Sequence, residues 1–122
     1  MRLLISVLLL LGGCASVQQP NVSTLSYTNV IGVSMGEGRG GLHAVLPIPY
    51  KELKAGLWVR RAVWDRDGKI VSYIGHRLVH RDGPLWVTQG DNRLTNPEPD
   101  AIRLSPSNYA GVIADAETLK PL

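Results

Sequence analysis

Residues 3–11 form an apolar run interrupted by Ser6 alone, and no later segment is apolar over a comparable length. The run is well short of the about 20 residues that cross a bilayer. With Arg2 ahead of it and Gly12-Gly13-Cys14 behind it, it has the charge, length and small-residue boundary of an export leader. Residues 15–28 are polar without a helical apolar stripe, as expected of a linker. From residue 29 onward the apolar positions come in short β-rich runs, 29–33, 57–64, 69–74, 77–80, 85–89 and 110–113, separated by Gly, Pro, Asn and Asp. Asp65-Arg66-Asp67-Gly68 and Arg81-Asp82-Gly83-Pro84 both carry Asp-Gly, whose glycine accepts the positive φ of a tight turn. They predict two antiparallel hairpins, 57–64 with 69–74 and 77–80 with 85–89. The helix-compatible composition of 49–55 ends at Gly56 and supports a single turn. The expected fold is all-β, one small domain of coiled antiparallel sheets or a barrel, with 1–13 as leader, 14–28 as linker and 29–122 as the domain.

Composition narrows the class. Lys plus Arg number 13 against 10 Asp plus Glu, and loss of Arg2 with the leader leaves 12 against 10, a formal +2. An excess this small and dispersed gives no basis for nucleic-acid binding. Cys14 is the single cysteine, so a disulfide framework and thiolate metal sites are excluded. Leu11-Gly12-Gly13-Cys14 resembles a bacterial lipobox, which implies cleavage before Cys14 and a lipid on that cysteine. An exported, membrane-anchored lipoprotein follows, and Ala15-Ser16 after the cysteine implies the periplasmic face of the outer membrane if the host is Gram-negative. With Phe absent, Trp58, Trp64 and Trp86 are expected to supply much of the large-residue packing.

The residues able to carry chemistry are Ser34, three histidines (His43, His76, His80) and the acids Asp91, Glu98 and Asp100. Ser34 stands where an expected strand gives way to a loop with Gly36, Gly38, Gly40 and Gly41, and a serine hydroxyl needs a neighbouring base to react at neutral pH. His76 and His80 share a strand face but are about 13 Å apart along it, too far for one metal ion. No cofactor is implied. Taken singly, each of these residues reads first as structural or as part of the surface.

In order, however, they form a pattern. Gly32-Val33-Ser34-Met35, then Tyr50-Lys51-Glu52-Leu53-Lys54-Ala55-Gly56, then His76-Arg77-Leu78-Val79, then Gly90-Asp91-Asn92 with Asp100 beyond, resemble the signal peptidase I family, most closely its archaeal and endoplasmic-reticulum branch. The resemblance covers roughly residues 29–114. It implies the coiled β fold shared by signal peptidases and LexA-type repressors, and a serine endopeptidase acting on exported peptide or protein substrates. Ser34 matches the nucleophile and His76 the general base; Asp100 matches the acid behind the base, with Asp91 the other candidate for that place. Gly90, Asp91 and Asn92 match the box that supports the site, and Gly32 occupies a position where some relatives place an oxyanion-hole hydroxyl. Met35 is followed by Gly36-Glu37-Gly38 where the family has a proline, and Gly56 by Leu57 where it has Asp. The alternative is a catalytically silent relative used as a binding or structural module.

Overall fold

The computed structural model describes residues 17–122; the expected leader and Cys14 lie outside the described residues. The chain forms β1 (Ser26–Val30), β2 (Gly41–Leu46), a 3-10 turn (Tyr50–Glu52), β3 (Trp58–Trp64), β4 (Ile70–Asp82), β5 (Leu85–Gln89) and β6 (Tyr109–Ala114). The strands make one antiparallel sheet in the order β1-β2-β6-β3-β4-β5. The fold is all-β, and the 3-10 turn stands within the segment expected to hold one helical turn.

Both hairpins form where their turn residues place them. Between β3 and β4 the Asp65 carboxylate accepts hydrogen bonds from the amides of Asp67 and Lys69 at 2.8 and 3.0 Å, which closes the turn. Between β4 and β5, Asp82 opposes Leu85, so Gly83-Pro84 is a two-residue loop, and Gly83 takes the left-handed φ of +61° that this loop requires. Residues 69–74 and 77–80, expected as two strands, are one strand of 13 residues, β4. Gly75 does not break it. Gly75 faces Arg60 on β3, and a Cβ there would come within 2.8 Å of Ile113 Cδ1 and 2.9 Å of Trp58 Nε1, so the glycine marks close packing inside a strand.

β2 has no counterpart among the expected strands. Its sequence, GLHAVL, has little β-branched content, and pairing to β1 on one side and β6 on the other holds it extended. β1 starts at Ser26, three residues ahead of the expected domain boundary, and ends at Val30. Residues 31–33, expected to continue it, leave the sheet and carry Ser34 on a loop. Within the expected linker, Gln18 is bonded to the β3–β4 hairpin. Its amide donates to the Gly68 carbonyl at 2.7 Å, its side-chain oxygen accepts from the Ile70 amide at 2.8 Å, and its carbonyl accepts from Trp64 Nε1 at 2.7 Å.

Two apolar clusters flank β3. Val59 packs with Leu78, Trp86, Leu104 and Val112, while Trp58 packs with Met35 and Ile113. With both faces covered, β3 has no simple apolar–polar alternation, and even Arg60 and Arg61 are only 8% exposed. Met35, immediately after Ser34, is 3% exposed. Burial of a side chain of that size stabilises by about 1.5–3 kcal/mol, enough to fasten the loop beside the nucleophile candidate.

Candidate active site

His76 lies on β4 opposite Val59. Its Nδ1 is 2.6 Å from Asp100 Oδ2, and the two side chains are 10% and 15% exposed, so water does little to weaken the bond. Thr88 of β5 donates its hydroxyl to the same carboxylate oxygen at 2.7 Å, and its carbonyl accepts the Asp100 amide at 2.8 Å. Residue 100 is in a loop, yet a strand residue holds it at both backbone and side chain. Burial pushes the Asp100 carboxyl up, but the hydrogen bonds from His76 and Thr88 and the charges of His76 and Arg61 outweigh it and hold the group below its ordinary value. An ionised carboxylate only accepts, so Nδ1 donates the proton of this bond, and no hydrogen bond among the described residues uses Nε2.

Ser34 is positioned by different means. Its carbonyl accepts from the Asn92 amide at 2.8 Å and from Asn96 Nδ2 at 3.3 Å. The Val33 carbonyl accepts from Asn92 Nδ2 at 2.9 Å and from the Gly36 amide at 3.0 Å. Segment 90–96 thus cradles the serine loop from below, and Gly90 sets how closely. A Cβ at Gly90 would stand 2.6 Å from Asn96 Nδ2 and 2.7 Å from the Ser34 carbonyl oxygen, distances that real side chains do not adopt. Asp91 does not approach His76: its carboxylate bonds Arg77 of β4 and Arg39 of the glycine-rich loop. The Arg77 hydrogen bond is the largest influence holding its carboxyl below the ordinary range, and Arg39 adds to it against burial. Of the two acids expected as candidates for the place beside His76, Asp100 is the one bonded to the imidazole. Gly32 lies on the exposed stretch before Ser34, with open space where a side chain would stand.

Ser34 and His76 line one cavity of about 450 Å³, together with Asn29, Arg60, Tyr73 and Gly75. Residues 70–76 of β4 pair with β3 alone, because β5 covers 77–82, and this free edge borders the cavity. Among the described residues no hydrogen bond joins the Ser34 hydroxyl to His76, and the Ser34 amide has no acceptor. The other histidines stand apart: His43 packs edge-on to Trp58 with ring centroids 5.3 Å apart, and His80 Nδ1 lies 3.0 Å from the Arg81 carbonyl. Glu98 is exposed. No group of three His, Cys, Asp or Glu among the described residues is placed to hold a metal ion.

Of four supporting residues, Thr88, Asn96 and Arg39 carry no motif of their own, and Arg77 stands in the His76-Arg77-Leu78-Val79 segment. Thr88 is legible only as a polar position in the strand that pairs with the histidine strand, and Arg77 as the neighbour of His76. Asn96 and Arg39 left no local signal, since each acts across more than 50 residues of chain. No family model, curated protein or solved structure matches the chain.

Proposed function

We propose that the chain is a serine peptidase of signal-peptidase-like character, cleaving a peptide bond in an exported protein. The observation that carries this reading is the His76–Asp100 pair at 2.6 Å, backed by Thr88, with His76 lining a cavity that Ser34 also lines. In the reaction the Ser34 hydroxyl oxygen bonds to the substrate carbonyl carbon as its proton passes to His76 Nε2. Asp100 stabilises the resulting imidazolium, which then returns the proton to the leaving amine as the C–N bond breaks. Water releases the acyl group by the same proton relay in reverse. The Ser34 amide, free of any backbone acceptor, is the donor for the carbonyl oxygen as it gains charge. An extended substrate segment fits along the free edge of β4, where main-chain bonds would hold it in register.

Catalytic hydrogen bonds are often long or absent before substrate arrives, and closing the Ser34–His76 gap is left to binding. The same gap favours a second reading, in which the domain binds peptides without cleaving them. The two separate cleanly. For the peptidase, a fluorophosphonate probe labels Ser34, and Ser34→Ala and His76→Ala each abolish cleavage of an exported test substrate with unchanged melting temperature. A wild type that resists the probe yet captures peptide establishes the binding module, and cleavage by both variants overturns the site.

The membrane is reached through a lipid on Cys14, in keeping with the lipobox-like sequence. Radiolabelled palmitate is expected in the wild type and absent from Cys14→Ser; equal labelling of both would remove the anchor from the proposal.

A further inference from the structure

Arg60 is an uncommon residue for a buried strand. It sits on β3 at 8% exposure, its Nε donates to the Ala110 carbonyl at 3.0 Å, and its guanidinium carbon lies 3.8 Å over the Tyr73 ring. These contacts fix the plane of the group without neutralising it. The ion pairs among the described residues involve Arg39, His76, Arg77 and Arg103, and none involves Arg60. Burial lowers its pKa, with Tyr73 only partly opposing, yet a guanidinium retains its charge at any physiological pH. A desolvated cation without a counter-ion is costly, and such groups are kept where a partner arrives.

The partner's direction of approach is also set. Among the described residues the fully enclosed, unbonded side-chain nitrogens are those of Trp58 and Trp86. The terminal nitrogens of Arg60 make no hydrogen bond and are not among them, so they are open, and Arg60 lines the cavity shared by Ser34 and His76. A planar fork with its inner nitrogen occupied and its two outer nitrogens facing a cavity matches a carboxylate in bidentate geometry.

We infer that Arg60 is a specificity-determining residue that binds a carboxylate of the peptide seated in the Ser34–His76 cavity. The inference rests on the peptidase reading for what the cavity accepts, but not on turnover. Two sources carry that chemistry, an Asp or Glu side chain within the peptide and the free α-carboxylate at its end.

Isothermal titration of the full chain carrying Ser34→Ala, with four blocked peptides, tests this without cleavage. The peptides are identical except for Glu or Gln at a central position, each as a C-terminal acid or amide. A side-chain site binds Glu over Gln by roughly tenfold or more whatever the terminus, and a terminal site binds acid over amide by the same margin. Arg60→Met is expected to erase that preference, and Arg60→Lys, which keeps the charge but not the fork, to reduce it. Acidic peptides that bind no better than their neutral counterparts, or a preference that survives in a folded Arg60→Met, overturn the inference. Fluorophosphonate labelling of Ser34 in the wild type reports separately on the peptidase reading, so the two can fail independently.

Discussion

The two halves of the candidate site are built differently. His76 and Asp100 are joined side chain to side chain, with Thr88 behind them, and His76 and Thr88 stand on paired strands. Ser34 is on a loop and is held by its own carbonyl, through Asn92 and Asn96, and by the burial of Met35 next to it. The histidine half is fixed by side-chain hydrogen bonds within the protein itself. The serine half fixes where the chain runs and leaves the hydroxyl without a partner. On the proposed peptidase reading, rigid strands would supply the base, whose orientation must not drift, and a braced loop the nucleophile, which must still close the last gap.

The largest expected effect comes from the histidine half. Asp100→Asn keeps the shape but lets Nδ1 lose its proton to the other nitrogen, and kcat should fall by about 10³–10⁴ with little change in KM. Single-turnover kinetics with ¹⁵N-labelled histidine would read both rate and tautomer, and a variant within tenfold of wild type would mean that this half is not the preset one. Next is the serine half. Gly90→Ala drives a methyl into Asn96 and the Ser34 carbonyl, and urea unfolding should record a loss of about 1–3 kcal/mol. Activity should fall further than stability explains, since Ser34 shifts with the cradle. Unchanged activity would show that the hydroxyl is not placed through its backbone.

Asp91→Asn tests the brace between loop and strand and is expected to destabilise by about 1–2 kcal/mol at neutral pH, with the exposed Arg39 bond contributing least. Because the Asp91 carboxyl is held below its ordinary value of 3.8, the unfolded chain takes up a proton first as pH falls. The difference between wild type and variant should therefore hold above 3.8 and close as pH drops through the lower folded-state value, readable as melting temperature against pH. A gap that persists in acid would remove the ion pairs as its cause. Thr88→Val is the smallest, about 0.5–1.5 kcal/mol, with kcat changed only a few-fold, because Asp100 keeps its bond to His76.

Much of this layout was legible in the chain. Asp65 to Gly68 and Asp82 to Pro84 placed both hairpins, because Asp side chains and glycine act over a few residues. β2 was not legible, since it is extended through pairing with β1 and β6 rather than by its own composition. Gly75 misled as a break because its meaning depends on Trp58 and Ile113, far away in sequence. Ser34, His76 and Asp100 stood out by order, not by local pattern; the order favoured Asp100 over Asp91 as the acid beside His76, and the hydrogen bond across the fold goes to Asp100. The burial of Arg60 and Arg61 was not legible either, because it comes from the elements that cover both faces of β3 and not from residues 58–64 themselves.

On the proposal that Cys14 carries a lipid, the contact of Gln18 with the β3–β4 turn would bear on geometry at the membrane. A linker of residues 14–28 would let the domain roam tens of ångströms from its anchor. With Gln18 fixed to Gly68, Ile70 and Trp64, only four residue steps separate the docked chain from Cys14. A chain spans at most about 3.3–3.6 Å per residue, so a lipid on Cys14 would hold the hairpin within roughly 14 Å of the bilayer surface. The domain would then be moored rather than leashed, presenting one fixed side to the membrane and meeting its substrates at a set height above the lipid.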